Sequence, residues 1–171
     1  MGSVLGQIEA CIPALRRYAG AMLRDQQEVD DLVHDCLVRA LEKLHTRREN
    51  GDLRAWLFAI MHNVFVSQMR RRKTRLAGRS IDTVNEDALG LDATQDMHLE
   101  ADDLLRAVDT LPQEQRSVLL LVTVEDLSYA QVADVLDIPL GTVMSRLARA
   151  RDQLARRSEA GASPLMLRRV K

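Results

Sequence analysis

The stretch Asp126–Arg151, DLSYAQVADVLDIPLGTVMSRLARAR, leaves the backbone little choice. Ser128 can cap a helix N-terminus, and Gln131 three residues on completes a capping box. Leu127 and Val132 flank that cap at the positions of a hydrophobic staple. Tyr129, Val132, Ala133 and Leu136 then recur at helical spacing and define one apolar face. Asp137-Ile138-Pro139 breaks the pattern. Proline has no N–H to donate and a fixed φ, so Pro139 suits the opening of a second helix. That helix starts near Leu140 and repeats apolar residues at Val143, Leu147, Ala150 and Leu154. Its opposite side carries Gly141, Thr142, Ser145, Arg146 and Arg149. One face belongs to a core and the other suits phosphates and base edges. The pattern predicts a helix-turn-helix, whose second helix enters the DNA major groove. A helical hairpin with a solvated basic face is the plainer alternative.

The remaining chain bounds the setting. Its 171 residues allow one medium domain or two small ones. Hydrophobic residues are 46% of the composition, and only four prolines and eight glycines interrupt the helix formers, so an all-α fold follows. The formal net charge of -1 does not suggest nucleic acid, but its distribution does. Residues 70–79 hold Arg70, Arg71, Arg72, Lys73, Arg75 and Arg79 with no acid; residues 82–103 hold eight acids with no Lys or Arg. Charges are screened beyond roughly 8 Å at physiological salt, so a near-neutral total can hide a basic DNA face. Cys11 and Cys36 read as small buried hydrophobes, with a disulfide or redox switch as the alternative. Neither has metal-ligand spacing and the four histidines are scattered, so no metal and no cofactor is expected. No glycine-rich phosphate loop or nucleophile–base arrangement points to an enzyme. No secretory pattern opens the chain and no apolar run approaches ~18 residues, which predicts a cytoplasmic protein.

Taken in order, residues 8–22 carry Ile8, Cys11, Ile12, Leu15, Tyr18, Ala19 and Met22 at helical steps. Pro13 implies that the regular part starts near it, or that the helix bends. Gln26–Leu44 shows an apolar stripe of Val29, Leu32, Val33, Cys36, Leu37, Ala40, Leu41 and Leu44, backed by Asp31, His34, Asp35, Val38, Arg39 and Glu42. A polar loop with Asn50-Gly51 turn chemistry follows, and Asp52 or a neighbour caps the next helix. That helix, Leu53–Lys73, is apolar nearly all round, as a helix sandwiched between others is. Trp56, Phe58 and Phe65 are either its core contacts or stacking platforms for unpaired bases beside the basic track Arg70, Arg71, Arg72 and Lys73. Gly78–Met97 has no stripe and reads as a flexible acidic linker. The stripe returns at Leu104, Leu105, Val108 and Leu111; Pro112 opens a helix over Gln113–Val124. The chain therefore divides into an N-terminal domain over 1–77, a linker over 78–98, a helix-turn-helix domain over 99–158 and a mobile tail over 159–171.

Four motifs carry a resemblance. LSYAQVADVLDIPLGTVMSRLARAR resembles the promoter-binding domain of bacterial sigma factors of the extracytoplasmic-function group, and LPQEQRSVLLLVTVEDLSYAQVADVL resembles its scaffold. EVDDLVHDCLVRALEKL is similar to the family segment that docks on the clamp of RNA polymerase. LRAWLFAIMHNVFVSQMRRRK is similar to the helix that melts and reads the promoter element nearest the start site. The resemblance covers roughly residues 8–157. It implies a sigma factor that binds core RNA polymerase, directs it to promoter DNA and is held inactive by an anti-sigma protein. On this chain it implies Leu140, Gly141, Thr142, Ser145, Arg146 and Arg149 as contacts to the upstream element. Arg47, Arg48, Asn50, Asn63, Arg70, Arg71, Arg72 and Lys73 would hold the melted element, and Asp31, His34, Asp35 and Arg39 the polymerase. The chain departs from the family at His34, where a Gln is usual, at Ser67 (often Asp), at Asp137 (often Gly) and at Met144 (commonly Lys or Arg). The competing reading is a helix-turn-helix regulator that acts without being a polymerase subunit.

Overall fold

The computed structural model describes residues 3–48, 51–78 and 106–160, and all regular structure among them is helical. The first helix, α1 (Val4–Met22), starts where the Ser3 hydroxyl accepts from the Gly6 N–H. Pro13 therefore lies inside the helix and does not open it. Its ring faces solvent, so the Glu9 carbonyl that loses its donor is left where water can reach it. Ile8, Leu15, Tyr18, Ala19 and Met22 form the buried face.

The second helix, α2 (Gln26–Glu42), is capped by the Asp25 carboxylate, which accepts from the Glu28 N–H. It ends two residues short of the expected Leu44, and Leu44–Thr46 tightens into a single 3-10 turn. Val29, Leu32, Val33, Cys36 and Ala40 are buried as the stripe predicts, but Leu41 is 52% exposed. At 3.6 residues per turn Leu41 lies roughly 125° from the centre of that buried arc, outside the part α1 and α3 cover. Both cysteines are free. Cys36 is buried and donates weakly to the Leu57 carbonyl, and burial pushes its thiol up to about 12. Such a thiol behaves as a small hydrophobe.

Helix α3 (Leu53–Ala77) starts on Asp52, whose carboxylate accepts from the N–H groups of Arg54 and Ala55. It runs four residues beyond the expected Lys73. Leu57, Phe58, Ile60, Met61, Val64 and Phe65 are all buried. This all-round burial has a simple cause: α1 and α2 pack on one side, and a helix of the C-terminal half packs on another.

The described part of that half opens on helical residues 106–109. Helix α4 (Gln113–Thr123) follows Pro112 and buries Val118, Leu119, Leu120 and Leu121. Helix α5 (Tyr129–Leu136) has the full capping box: the Ser128 hydroxyl accepts from the Gln131 N–H, and the Gln131 side chain accepts from the Ser128 N–H. Helix α6 (Leu140–Ala160) buries Val143, Leu147, Ala150 and Leu154, the four residues the spacing selects. The turn between α5 and α6 is made by Asp137 at φ 53°, ψ 51°. Aspartate tolerates this left-handed conformation better than most non-glycine residues, so a turn that often has glycine survives here. The linker beyond Gly78, the segment before residue 106 and the tail beyond residue 160 lie outside the described residues.

The two sets of helices are packed together. α4 lies against α1, α5 lies against α3, and one buried apolar cluster contains residues of both sets. Periodicity revealed the two sets but not this packing. Substituting Asp137→Gly is expected to raise stability by about 0.5–1 kcal/mol by removing a left-handed non-glycine residue, while Asp137→Val lowers it. Urea unfolding of the three proteins checks both signs.

Candidate nucleic-acid interface and the joint beside it

The helix-turn-helix presents α6 with one side sunk and one side open. Leu140 and Met144 are about half exposed, one turn apart. Gly141 is exposed, with open space where a Cβ would stand, and Thr142 is half-buried. Ser145 is exposed and donates to the Thr142 carbonyl at 3.1 Å. Arg149 is exposed and borders an open polar cleft with Gln115, Asp152, Gln153, Arg156 and Arg157. Arg146 differs from these: it turns toward α4 and pairs with Glu114 at 2.8 Å, its side chain 24% exposed. Gly141, Ser145 and Arg149 thus form an exposed row along α6, and Arg146 stands on its flank.

In the N-terminal set, Arg70, Arg71, Arg72 and Lys73 are exposed on the last turns of α3, with Arg72 paired to Glu28 of α2. Asn63 is exposed on the same helix. Arg48 is exposed, Arg47 donates to the Gly51 carbonyl at 2.9 Å, and Asn50 lies outside the described residues. Phe58 and Phe65 are core residues, and Trp56 is partly buried, so the aromatic side chains of α3 serve packing first. On α2, Asp31 and His34 are exposed, Asp35 accepts from Gln68 at 3.1 Å and Arg39 is half-buried. Val38 and Leu41 add exposed apolar surface to that face. Among the described residues no group of three or more His, Cys, Asp or Glu side chains could hold a metal ion, and no helix is long and apolar enough to cross a membrane.

Beside these surfaces lies a joint that the sequence did not disclose. Glu125 follows α4, and its side chain is fully buried. Arg17 of α1 grips it through Nε at 3.3 Å and Nη2 at 3.0 Å, and Arg54 of α3 donates to the same carboxylate at 2.5 Å. The Arg54 guanidinium also lies 5.8 Å from the centre of the Phe58 ring, and Tyr18 meets that ring edge-on at 5.5 Å. The next residue, Asp126, takes φ 53°, which turns the chain sharply after Glu125. Nearby, Gln131 of α5 donates to Asp52, the cap of α3, at 2.5 Å, and Arg24 pairs with Asp109 at 3.5 Å. No local signal could have found Glu125, because its partners lie 108 and 71 residues away.

Known proteins match this arrangement in both parts. The family model for the Sigma2 domain of PhyR matches residues 8–62, and that for Sigma-70, region 4, matches residues 101–154. The chain is 35% identical over 153 residues to the ECF RNA polymerase sigma factor EcfG of Rhodopseudomonas palustris, covering 90% of this chain and 83% of that one. Among solved structures, the sigma factor RpoE of Bartonella quintana in complex with the anti-sigma factor NepR superposes with a TM-score of 0.75 at 28% identity, covering 93% of this chain and 98% of that one. CnrH in complex with the cytosolic domain of CnrY superposes with a TM-score of 0.68 at 25% identity, over 92% and 88% of the two chains.

His62 of α3 reports on the same neighbourhood. Its Nδ1 is buried with no hydrogen-bond partner, and burial, with the Arg146 charge second, lowers its pKa to about 4. The unfolded chain takes up this proton below about 6.5, whereas the folded chain resists it down to about 4. Stability contributed by a neutral His62 is therefore whole above pH 6.5 and lost as pH falls toward 4. His62→Gln is expected to flatten the loss between pH 6.5 and 4 by about 2 kcal/mol. Unfolding midpoints of both proteins across that range measure it.

Proposed function

The chain belongs to the extracytoplasmic-function group of sigma factors in the sigma-70 family, and we propose that it directs core RNA polymerase to promoters through two separate surfaces. The observation that carries this reading is the division of exposed polar surface between α2 and α6. Each of these helices buries one apolar stripe and leaves a chemically different face open. The open face of α2, acidic with Val38 and Leu41 in it, suits a protein partner with basic and apolar groups. The open face of α6, carrying Ser145 and Arg149, suits phosphates and base edges.

In this reading the N-terminal domain, 1–77, docks on polymerase through Asp31, His34, Asp35 and Arg39. Arg47, Arg48, Asn50, Asn63, Arg70, Arg71, Arg72 and Lys73 hold the melted promoter element. The domain over 99–158 reads the upstream element as duplex with Leu140, Gly141, Thr142, Ser145, Arg146 and Arg149. Arg146 must leave Glu114 to join that set; the 70% exposure of the Glu114 side chain makes this a surface ion pair of little strength. Bond making belongs to the polymerase, so this chain is a non-enzymatic subunit, working in the cytoplasm. Two of the solved relatives are bound to an anti-sigma factor or to a partner's cytosolic domain, which supports control of this chain by an anti-sigma protein.

Transcription in vitro with core polymerase on genomic fragments tests the class: start sites that depend on this chain are expected. A stable homodimer that binds palindromic duplex without polymerase would replace this reading by a conventional helix-turn-helix regulator. Arg149→Ala is expected to weaken upstream-duplex binding by about 1–3 kcal/mol, as for loss of a bidentate base contact. Charge reversal at Asp31 and Asp35 is expected to weaken core-polymerase binding at unchanged circular dichroism.

A further inference from the structure

We propose that Leu140 and Met144 select thymine in the upstream duplex by packing on its C5-methyl group. This deepens the assignment of α6 to duplex DNA and rests on it. In a helix-turn-helix the N-terminal residues of the second helix meet the base edges. Here the first residues of α6 are Leu140, Gly141, Thr142, Val143, Met144 and Ser145, and none has a charge or a side-chain amide. Guanine is read in bidentate fashion by Arg or Lys and adenine by Asn or Gln, while cytosine donates to Asp or Glu. The opening of α6 has none of these. Val143 is buried in the core, and Thr142 is half-buried. The Ser145 hydroxyl is engaged with the Thr142 carbonyl at 3.1 Å. Leu140 and Met144 remain, 48% and 53% exposed.

Their placement names the occupant. Four residues apart on one helix, the two side chains are neighbours. Ala148, a further turn on, is exposed as well, so an apolar row runs beside the polar row Gly141, Ser145 and Arg149. The two rows share one open face, so duplex bound to Ser145 and Arg149 also covers Leu140 and Met144. A Cβ at Gly141 would meet nothing within 4 Å, and its absence lets the helix backbone come close to the groove floor. Of the four bases, thymine alone presents a methyl group in the major groove. Among the described residues the other pair of exposed large apolar side chains one turn apart, Val38 and Leu41, lies on α2, among acidic groups that repel phosphates. The α6 pair has no such neighbours in its first two turns.

The test offers a randomised duplex library to the full chain with core polymerase and to the full chain alone. On the most enriched sequence each thymine is replaced in turn by deoxyuridine, which lacks only the methyl group. Parent binding is expected to fall about fourfold at one or two positions, as for one methyl group returned to water. Leu140→Ala with Met144→Ala is expected to bind thymine and deoxyuridine equally at those positions, at unchanged circular dichroism. Met144→Lys is expected to steepen the dependence of log affinity on log salt by about 0.9, as one added phosphate contact does. Enrichment with no sensitive thymine would overturn the proposal and leave the duplex-binding role of α6 standing. Sensitivity that survives at every position in the double variant would overturn it as well, since another side chain would then hold the methyl. Enrichment by the chain alone, with the sensitivity lost in the variant, supports the proposal and removes the polymerase-dependent reading. If no sequence is enriched in either arm, the proposal falls together with the assignment of α6 to duplex DNA.

Discussion

A single buried carboxylate sets the relation between the two halves of this chain. Removing Glu125 from water carries a desolvation cost of several kcal/mol, which only close, well-directed cations offset. Arg17 and Arg54 provide them from two different helices. Arg54 is itself placed by the Asp52 cap that starts α3 and by the Phe58 ring below it. Tyr18 in turn holds that ring from α1. A charge in the C-terminal half is thus fixed by the packing of the N-terminal half. The attraction is conditional: good geometry stabilises the joint, and partial separation penalises it.

Much of the fold was legible in the sequence because its signals are local. The α5 capping box, the left-handed turn at Asp137 and the buried row Val143, Leu147, Ala150 and Leu154 each depend on residues within a turn or two. The all-round apolarity of α3 likewise announced a helix covered on several sides. Two local readings failed for physical reasons that are also local. Pro13 did not open α1, because Ser3 caps the helix ten residues earlier and the proline faces water. Leu41 fell outside the covered arc of α2, because a stripe drawn from spacing alone is wider than the groove that receives it.

The relation of the halves was not legible. Glu125 reads in sequence as an ordinary acid before a turn, and Arg17 and Arg54 as ordinary surface cations. Only the fold brings them together. The same holds for Arg146, which spacing assigns to the open side of α6 and which is drawn onto Glu114 beside His62. The open row Gly141, Ser145 and Arg149, by contrast, lies where the helical wheel puts it. Recognition surfaces repeat along one helix and so leave a periodic trace; joints between distant segments leave none.

Gln131 belongs to both worlds. Its carbonyl oxygen accepts from Ser128, three residues away, and its amide nitrogen donates to Asp52, 79 residues away. The first bond closes a loop of one helical turn and the second a loop of most of a domain, so the second carries the larger entropic cost of closure. The capping box of helix α5 fixes the amide that meets the cap of α3. One side chain thus joins a local cap to a distant one: the amide that Ser128 orients is the amide that meets the cap of α3.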